Sequence, residues 1–92
     1  MASVLHAQQL EPTPTVIEGP YYKLCSPHRS CLVEPDDPGT RVVLTGHVYT
    51  TEGRPVPNAI VDAWSSDGVE GNYDMVGYKF RGHVFTDAEG RY

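Results

Sequence analysis

The sequence predicts an all-β fold, an antiparallel β-sandwich. Short runs rich in β-branched and aromatic residues alternate with turns rich in Gly, Pro and Asp, and no segment has the periodicity of an amphipathic helix. These observations place strands near residues 42–50, 59–64 and 83–87. A further strand begins at Arg91, and because the sequence ends inside it we expect the sandwich to be incomplete.

The turns between these runs define the individual strands. The first strand lies in the run Arg41–Thr50, which follows the turn cluster Glu34–Gly39. The second strand has small residues alternating on one face, which favours a closely packed neighbouring sheet. The third strand leads into Asp87–Gly90, a turn with Gly at the position where positive φ is needed.

The N-terminal part of the chain has a different character. Residues 1–40 hold few periodic apolar positions and are predicted to form an extended, irregular arm, whereas 41–92 supply the N-terminal strands of the sandwich. Within the arm, Gly19–Pro20 fixes a bend, and Tyr21 and Tyr22 place apolar surface just beyond it. From these residues alone, the arm is a segment anchored by aromatic side chains.

Charge and hydropathy exclude two classes of partner. The 92 residues carry a net charge of -5 without a cluster of Lys and Arg, which argues against a nucleic-acid partner. No apolar run approaches the ~20 residues needed to cross a bilayer, which argues against a membrane. The N-terminus lacks a basic segment and an apolar segment of the signal-peptide type, so we expect a cytoplasmic protein.

Cys25 and Cys31 flank a short loop that contains His28. A disulfide or a Cys/His metal site is conceivable at this spacing. Two thiols and one imidazole fall short of the four ligands of a structural zinc, and a reducing compartment disfavours the disulfide. We therefore expect two free cysteines.

Several motifs in the sandwich region resemble the prealbumin-like modules of the carboxypeptidase-regulatory and transthyretin types. They are Gly46-His47-Val48, Gly53-Arg54-Pro55-Val56, Ala59 with Val61, and Thr86–Tyr92. This resemblance implies a prealbumin-like sandwich and says nothing of activity.

A second set of motifs resembles the intradiol ring-cleavage dioxygenases. It combines the arm motif Glu18-Gly19-Pro20-Tyr21-Tyr22, the strand motif Val61-Asp62-Ala63-Trp64 and the loop motif Gly71-Asn72-Tyr73-Asp74. The loop motif lies in Ser65–Tyr78, a long segment without strand or helix periodicity. The resemblance runs from about Thr13 to Tyr92, and its specificity comes from the combination of the three motifs.

The resemblance to this family implies an iron-dependent ring-cleavage reaction. Its members cleave catechol-type rings with O2 at a non-haem Fe(III) held by two tyrosines and two histidines. It places Tyr73 as the first tyrosinate ligand, and therefore as a catalytic and metal-binding residue. A phenolate is a hard anionic donor suited to Fe(III). The resemblance also implies that Gly19, Pro20 and Tyr21 bind substrate, as part of the arm that closes over the ring.

The remaining ligands of the family lie in a P-x-x-Y segment and an H-x-H strand, and neither occurs here. The four histidines, His6, His28, His47 and His83, are singly placed, and no metal role is assigned to them. Relative to the family pattern, Ser65-Ser66-Asp67 replaces the usual residues after the Trp, and Gly68-Val69-Glu70 forms a longer insertion before Gly71, so Tyr78 competes with Tyr73 as the ligand. Asp62 and Trp64 are interpreted as structural residues, a hydrogen-bonding carboxylate and an aromatic anchor.

Two functions therefore stay open from the sequence. In the first, the chain is the N-terminal part of an intradiol dioxygenase, has a catechol-type molecule and O2 as substrates, can form a homo-oligomer, and is inactive by itself. In the second, it is a prealbumin-like binding or structural module without a metal. The residues do not decide which catechol would be cleaved.

Overall fold

The computed structural model describes residues 9–92. This part of the chain contains two β-strands and no helix: β1 (Ile60–Trp64) and β2 (Arg81–Phe85). The strands pair in a two-stranded antiparallel sheet, with hydrogen bonds from Ser65 N–H to Phe80 O (3.1 Å) at one end and from Thr86 N–H to Ala59 O (2.9 Å) at the other. The all-β prediction is confirmed, and the sandwich remains a prediction.

The two strands correspond to two of the predicted runs. β1 begins one residue later than predicted and β2 two residues earlier. β2 starts with two buried residues, Arg81 and Gly82. A Cβ atom at position 82 would collide with the Leu32 side chain, so glycine allows the segment around Leu32 to pack against this strand.

The strand predicted at 42–50 is wrong. Only isolated bridges form in this segment, between His47 and Arg91 and between Tyr49 and Pro55. Its apolar start is exposed, with Val42, Val43 and Leu44 at 82%, 88% and 73% exposure. High β-propensity produces a strand only where a neighbouring strand pairs with it, and the described part of the chain supplies none to these three residues.

The predicted turn and loop are both present. Gly90 has φ +75°, and its N–H donates to Asp87 O (3.0 Å), which closes the turn Asp87–Gly90. No strand or helix occurs between the end of β1 and the start of β2, so the long loop is confirmed for these residues.

The chain divides into two compact units that alternate along the sequence. The first comprises the described residues up to Ile17 together with Thr45–Ala59 and Phe85–Tyr92, and the second comprises Glu18–Leu44 and Ile60–Val84. In the first unit, the Thr86 hydroxyl donates to Val56 O (2.6 Å) and accepts from Ala59 N–H (2.9 Å). The division into an arm at 1–40 and a sandwich region at 41–92 stays a prediction.

Hydrophobic burial in the described residues is slight. Phe80, at 7% exposure, is the one buried hydrophobic side chain among them. Hydrogen bonds and aromatic contacts therefore carry much of the local order. A search of the same residues finds no helix of the length and hydropathy that would cross a membrane.

Candidate functional site

Tyr21 of the arm and Tyr73 of the long loop form a stacked pair in the second unit. Their ring centroids lie 4.2 Å apart, and the ring planes differ by 4°. Tyr73 is half-buried, and Tyr21 is 41% exposed. The two aromatic residues that the family resemblance marks are therefore in direct contact, although 52 positions separate them in the sequence.

The bend before Tyr21 is also present. Gly19 has φ +79°, a conformation that a glycine adopts at low cost, and Pro20 fixes the next φ. Gly19 and Pro20 are both exposed. They direct the chain into Tyr21, and none of Gly19, Pro20 and Tyr21 lines the cavity beside Tyr73.

A cavity of about 450 Å³ lies beside Tyr73. Its walls come from the long loop, from the start of the turn before β2, and from the segment around Asp37. The lining residues are Asp37, Pro38, Asp67, Val69, Glu70, Asn72, Tyr73, Asp74, Lys79 and Phe80. This volume is within the range of small-molecule sites.

One ion pair crosses the cavity wall. Lys79 Nζ lies 2.8 Å from Asp37 Oδ1, and the Asp37 side chain is 5% exposed. The hydrogen bond from Lys79 lowers the pKa of Asp37, and Asp37 in turn raises the pKa of Lys79. Both groups therefore stay charged near neutral pH, and the pair joins two segments that are distant in sequence.

Two aspartates fix the loop on either side of Tyr73. The Asp67 carboxylate accepts hydrogen bonds from the N–H groups of Val69, Glu70 and Gly71, and these bonds, the Val69 bond foremost, lower its pKa. Because these are backbone groups of the loop itself, the segment has a defined conformation without secondary structure.

Asp74 has the same function immediately after Tyr73. Its carboxylate accepts hydrogen bonds from the N–H groups of Gly77, Lys79 and Val76, which lower its pKa from 3.8 to about 2. Sequence reasoning missed both aspartates. Asp followed within three residues by Gly, in a Gly-rich loop, was the available signal.

Tyr78, the alternative ligand, is engaged elsewhere. Its hydroxyl donates to Leu24 O (3.0 Å), and Lys23 Nζ lies 5.5 Å from its ring centroid. Tyr78 is absent from the lining of the cavity, and Tyr73 is part of it.

Asp62 and Trp64 of β1 hold the arm, in keeping with their structural interpretation. Asp62 accepts a hydrogen bond from the Ser26 hydroxyl (2.9 Å), and Trp64 packs edge-on against Tyr22 at 5.0 Å. Desolvation, followed by the neighbouring Asp62 carboxylate, raises the pKa of Tyr22. These contacts bring the segment after Tyr21 onto the sheet.

The histidines among residues 9–92 and the two cysteines do not line the cavity. His83 Nδ1 is 3.0 Å from Ser26 Oγ, and the His83 ring stacks on His28 at 5.3 Å. His47 stacks on Tyr49 at 5.7 Å, and His6 lies outside the described residues. Cys25 and Cys31 are free and exposed.

The described side chains offer few donors to a metal ion. Within residues 9–92, no group of three or more His, Cys, Asp or Glu side chains is arranged to hold an ion. The Tyr73 phenol, at the cavity wall, is a single oxygen donor of the type that Fe(III) prefers. The residues therefore fit one ligand of a ferric site.

Comparison with known proteins identifies the family. The model of a family described as "Dioxygenase" matches residues 17–92, which include the arm motif, β1, the loop with Tyr73 and β2. The chain belongs to the intradiol dioxygenase family. Catechol 1,2-dioxygenase 2 of Acinetobacter lwoffii is 35% identical over 88 residues, and chlorocatechol 1,2-dioxygenase of Rhodococcus opacus is 32% identical over 89 residues.

Solved structures of the family agree with the fold. The dioxygenase domain of a dioxygenase and carbohydrate-binding fusion from Streptomyces sp. SirexAA-E superposes with a TM-score of 0.84 at 41% identity, covering 89% of this chain and 53% of that one. 3-Chlorocatechol 1,2-dioxygenase from Rhodococcus opacus 1CP superposes with a TM-score of 0.78 at 27% identity, covering 99% of this chain and 40% of that one. The matches to the two catechol-type relatives above cover 87% and 85% of this chain, but only 32% and 34% of the relatives' own length. The chain spans about a third of each.

Proposed function

We propose that the chain contributes the first tyrosinate ligand and one wall of the substrate pocket to an intradiol dioxygenase site. Tyr73 is the residue that would hold Fe(III), and the arm with Gly19, Pro20 and Tyr21 binds the catechol-type ring. The stacked contact between Tyr21 and Tyr73 carries this proposal, because it joins the two family motifs beside a cavity of suitable size.

The hydrogen bonds of the two competing tyrosines favour Tyr73. A phenol must lose its proton to bind a ferric ion as phenolate, and the Tyr78 hydroxyl uses that proton in the hydrogen bond that it donates to Leu24 O. Ligation by Tyr78 would break that bond and leave the carbonyl without its donor. Tyr73 faces the cavity, where its phenolate could also accept a proton from a substrate hydroxyl.

Tyr21 does not line the cavity itself, and its proposed contact with the substrate depends on its stack against Tyr73, which does. Its ring lies parallel to that of Tyr73, and the residue remains 41% exposed. A planar substrate ring can stack against the accessible part of Tyr21. When bound, the ferric ion supplies the Lewis acidity that prepares the catecholate for reaction with O2.

The test compares two proteins. One is the 92-residue chain, and the other, here called the extended protein, carries after Tyr92 the region that follows the matched segment in the Rhodococcus opacus chlorocatechol 1,2-dioxygenase. Each is loaded with Fe(III) and mixed with catechol. We expect O2 uptake with a ring-opened diacid as product from the extended protein, and none from the 92-residue chain, because one ligand cannot hold the ion firmly.

Either of two results would contradict the proposal. Catechol cleavage by the 92-residue chain would show that the site is built from other residues. A folded extended protein that binds neither Fe(III) nor catechol would favour the metal-free prealbumin-like module. Binding of catechol to the iron-free chain, followed by calorimetry, distinguishes a binding module from a structural one.

A further inference from the structure

Arg81 is buried beside the stacked tyrosines, and the function proposed above leaves it without a role. It is the first residue of β2 and is 2% exposed. Its Nη1 donates to Tyr21 O, and its Nη2 donates to Asp74 O (3.1 Å). The first carbonyl belongs to one of the stacked residues, and the second belongs to the residue after the other. One guanidinium therefore connects the backbones that carry both rings.

Stability alone explains this arginine poorly. Burial of a cation is costly, and none of the ion pairs among the described residues includes Arg81. Its Nε, also buried, has no hydrogen-bond acceptor in the same part of the chain. An apolar side chain of similar size would avoid both costs. What arginine adds is a rigid planar fork that bonds two carbonyls at fixed positions.

The backbone before Arg81 is strained in a way that fixes the direction of this side chain. Phe80 has φ +58°, which is rare for a bulky residue, and it is buried. The Arg81 N–H donates to Tyr78 O (3.1 Å) and closes the turn, while Arg29 Nε donates to Arg81 O (3.0 Å). Such conformations persist only where the surrounding contacts determine them.

We propose that Arg81 is a positioning residue that holds Tyr21 and Tyr73 in their stacked arrangement. It keeps the arm and the long loop in register, so that Tyr73 stays at the cavity wall with the Tyr21 ring stacked on it. The effect of this arrangement on iron binding rests on the proposed function. The stacking itself does not, and it can be measured without iron.

The experiment uses the 92-residue chain labelled with 3-fluorotyrosine and observed by 19F NMR at low micromolar concentration. In the otherwise unchanged chain, Tyr73→Leu removes one ring of the pair, and the Tyr21 resonance should shift. If Arg81→Lys abolishes the stack, the Tyr21 resonance of that variant should lie near the chemical shift of the unfolded chain. Adding Tyr73→Leu to this variant should then no longer move the Tyr21 resonance. Lysine keeps the charge and loses the fork.

Two controls separate positioning from a general effect on folding. Arg41→Lys makes the same change at an exposed arginine that also donates to backbone carbonyls, and it should leave the coupling between the two tyrosines intact. The Tyr22 resonance reports the separate Tyr22–Trp64 contact and should not move in Arg81→Lys or Arg81→Met.

A stack that survives in both Arg81 variants overturns the proposal. So does loss of the Tyr22 resonance position together with that of Tyr21, because Arg81 would then support the unit as a whole. In the extended protein, the same variants should weaken Fe(III) binding. If the stack is lost there while Fe(III) binding is retained, Arg81 keeps its positioning role and the proposed ligand function of Tyr73 is the part that fails.

Discussion

The Asp74 carboxylate shows how one side chain orders the backbone next to the candidate ligand. It follows Tyr73 directly and accepts three backbone hydrogen bonds, which hold its pKa at about 2. A group whose pKa is lower in the folded than in the unfolded chain contributes stability above the unfolded value of 3.8 and loses it as the pH falls through about 2. The turn after Tyr73 should therefore be intact at pH 4 and open near pH 2.

This behaviour can be followed at single atoms. We predict that the Asp74 side-chain carbon and the amide of Gly77 titrate together with an apparent pKa of about 2, as measured by NMR. In Asp74→Asn the Gly77 amide should no longer titrate, because a neutral acceptor remains in place. A midpoint near 3.8 would show that the three hydrogen bonds do not form in solution.

For individual residues, the sequence marked some candidate site residues and gave no signal for others, and the reason is physical. Tyr73, Gly19, Pro20 and Tyr21 were marked by motifs, and the structure brings Tyr21 and Tyr73 into contact. Their roles remain proposals. Arg81 was missed because its bonds reach residues 60 and 7 positions away, and an arginine at the start of a strand carries no local signal of such bonds.

The elements followed their local patterns where a partner was available. β1 and β2 lie within two residues of the predicted runs because each supplies the other's hydrogen bonds. The segment 42–50 has an equally strong β-branched pattern, yet only residues near Gly46 and Val48 bond to the chain around Tyr92. Strand formation depends on pairing, which is a non-local property.

The exposed run Val42–Leu44 should promote self-association. Exposed apolar residues of high β-propensity are a template for contact with a second molecule. We predict that the 92-residue chain self-associates and that Val43→Lys weakens this association about tenfold or more, since burial of one valine is worth about 1.5–3 kcal/mol. Analytical ultracentrifugation measures the change.

Val76 provides the matched control for this variant. It is 98% exposed in the long loop, so Val76→Lys adds the same charge away from the apolar run and should change association little. A monomeric chain with a cooperative thermal transition would contradict the expectation, as would equal effects of the two lysine variants.

For the whole molecule, membership of the family does not imply that the chain holds a complete set of iron ligands. The family match covers residues 17–92, while the chain spans about a third of its curated relatives. The described residues bury little hydrophobic surface and bring one candidate ligand to the cavity. A prealbumin-like sandwich and a complete iron site remain proposals, because the described residues form a single two-stranded sheet and no group of three or more His, Cys, Asp or Glu side chains that could hold a metal.

The colour of the Fe(III)-loaded extended protein tests the central claim most directly, because tyrosinate bound to Fe(III) absorbs visible light. We predict that Tyr73→Phe weakens the band, while the second tyrosine expected in the extended protein retains part of it, and lowers the rate of O2 uptake more than about 100-fold, beyond the effect of outer-shell partners of metal ligands. Tyr78→Phe should leave the band unchanged. A band that is unchanged in Tyr73→Phe and weakened in Tyr78→Phe would contradict the assignment of Tyr73 as the ligand.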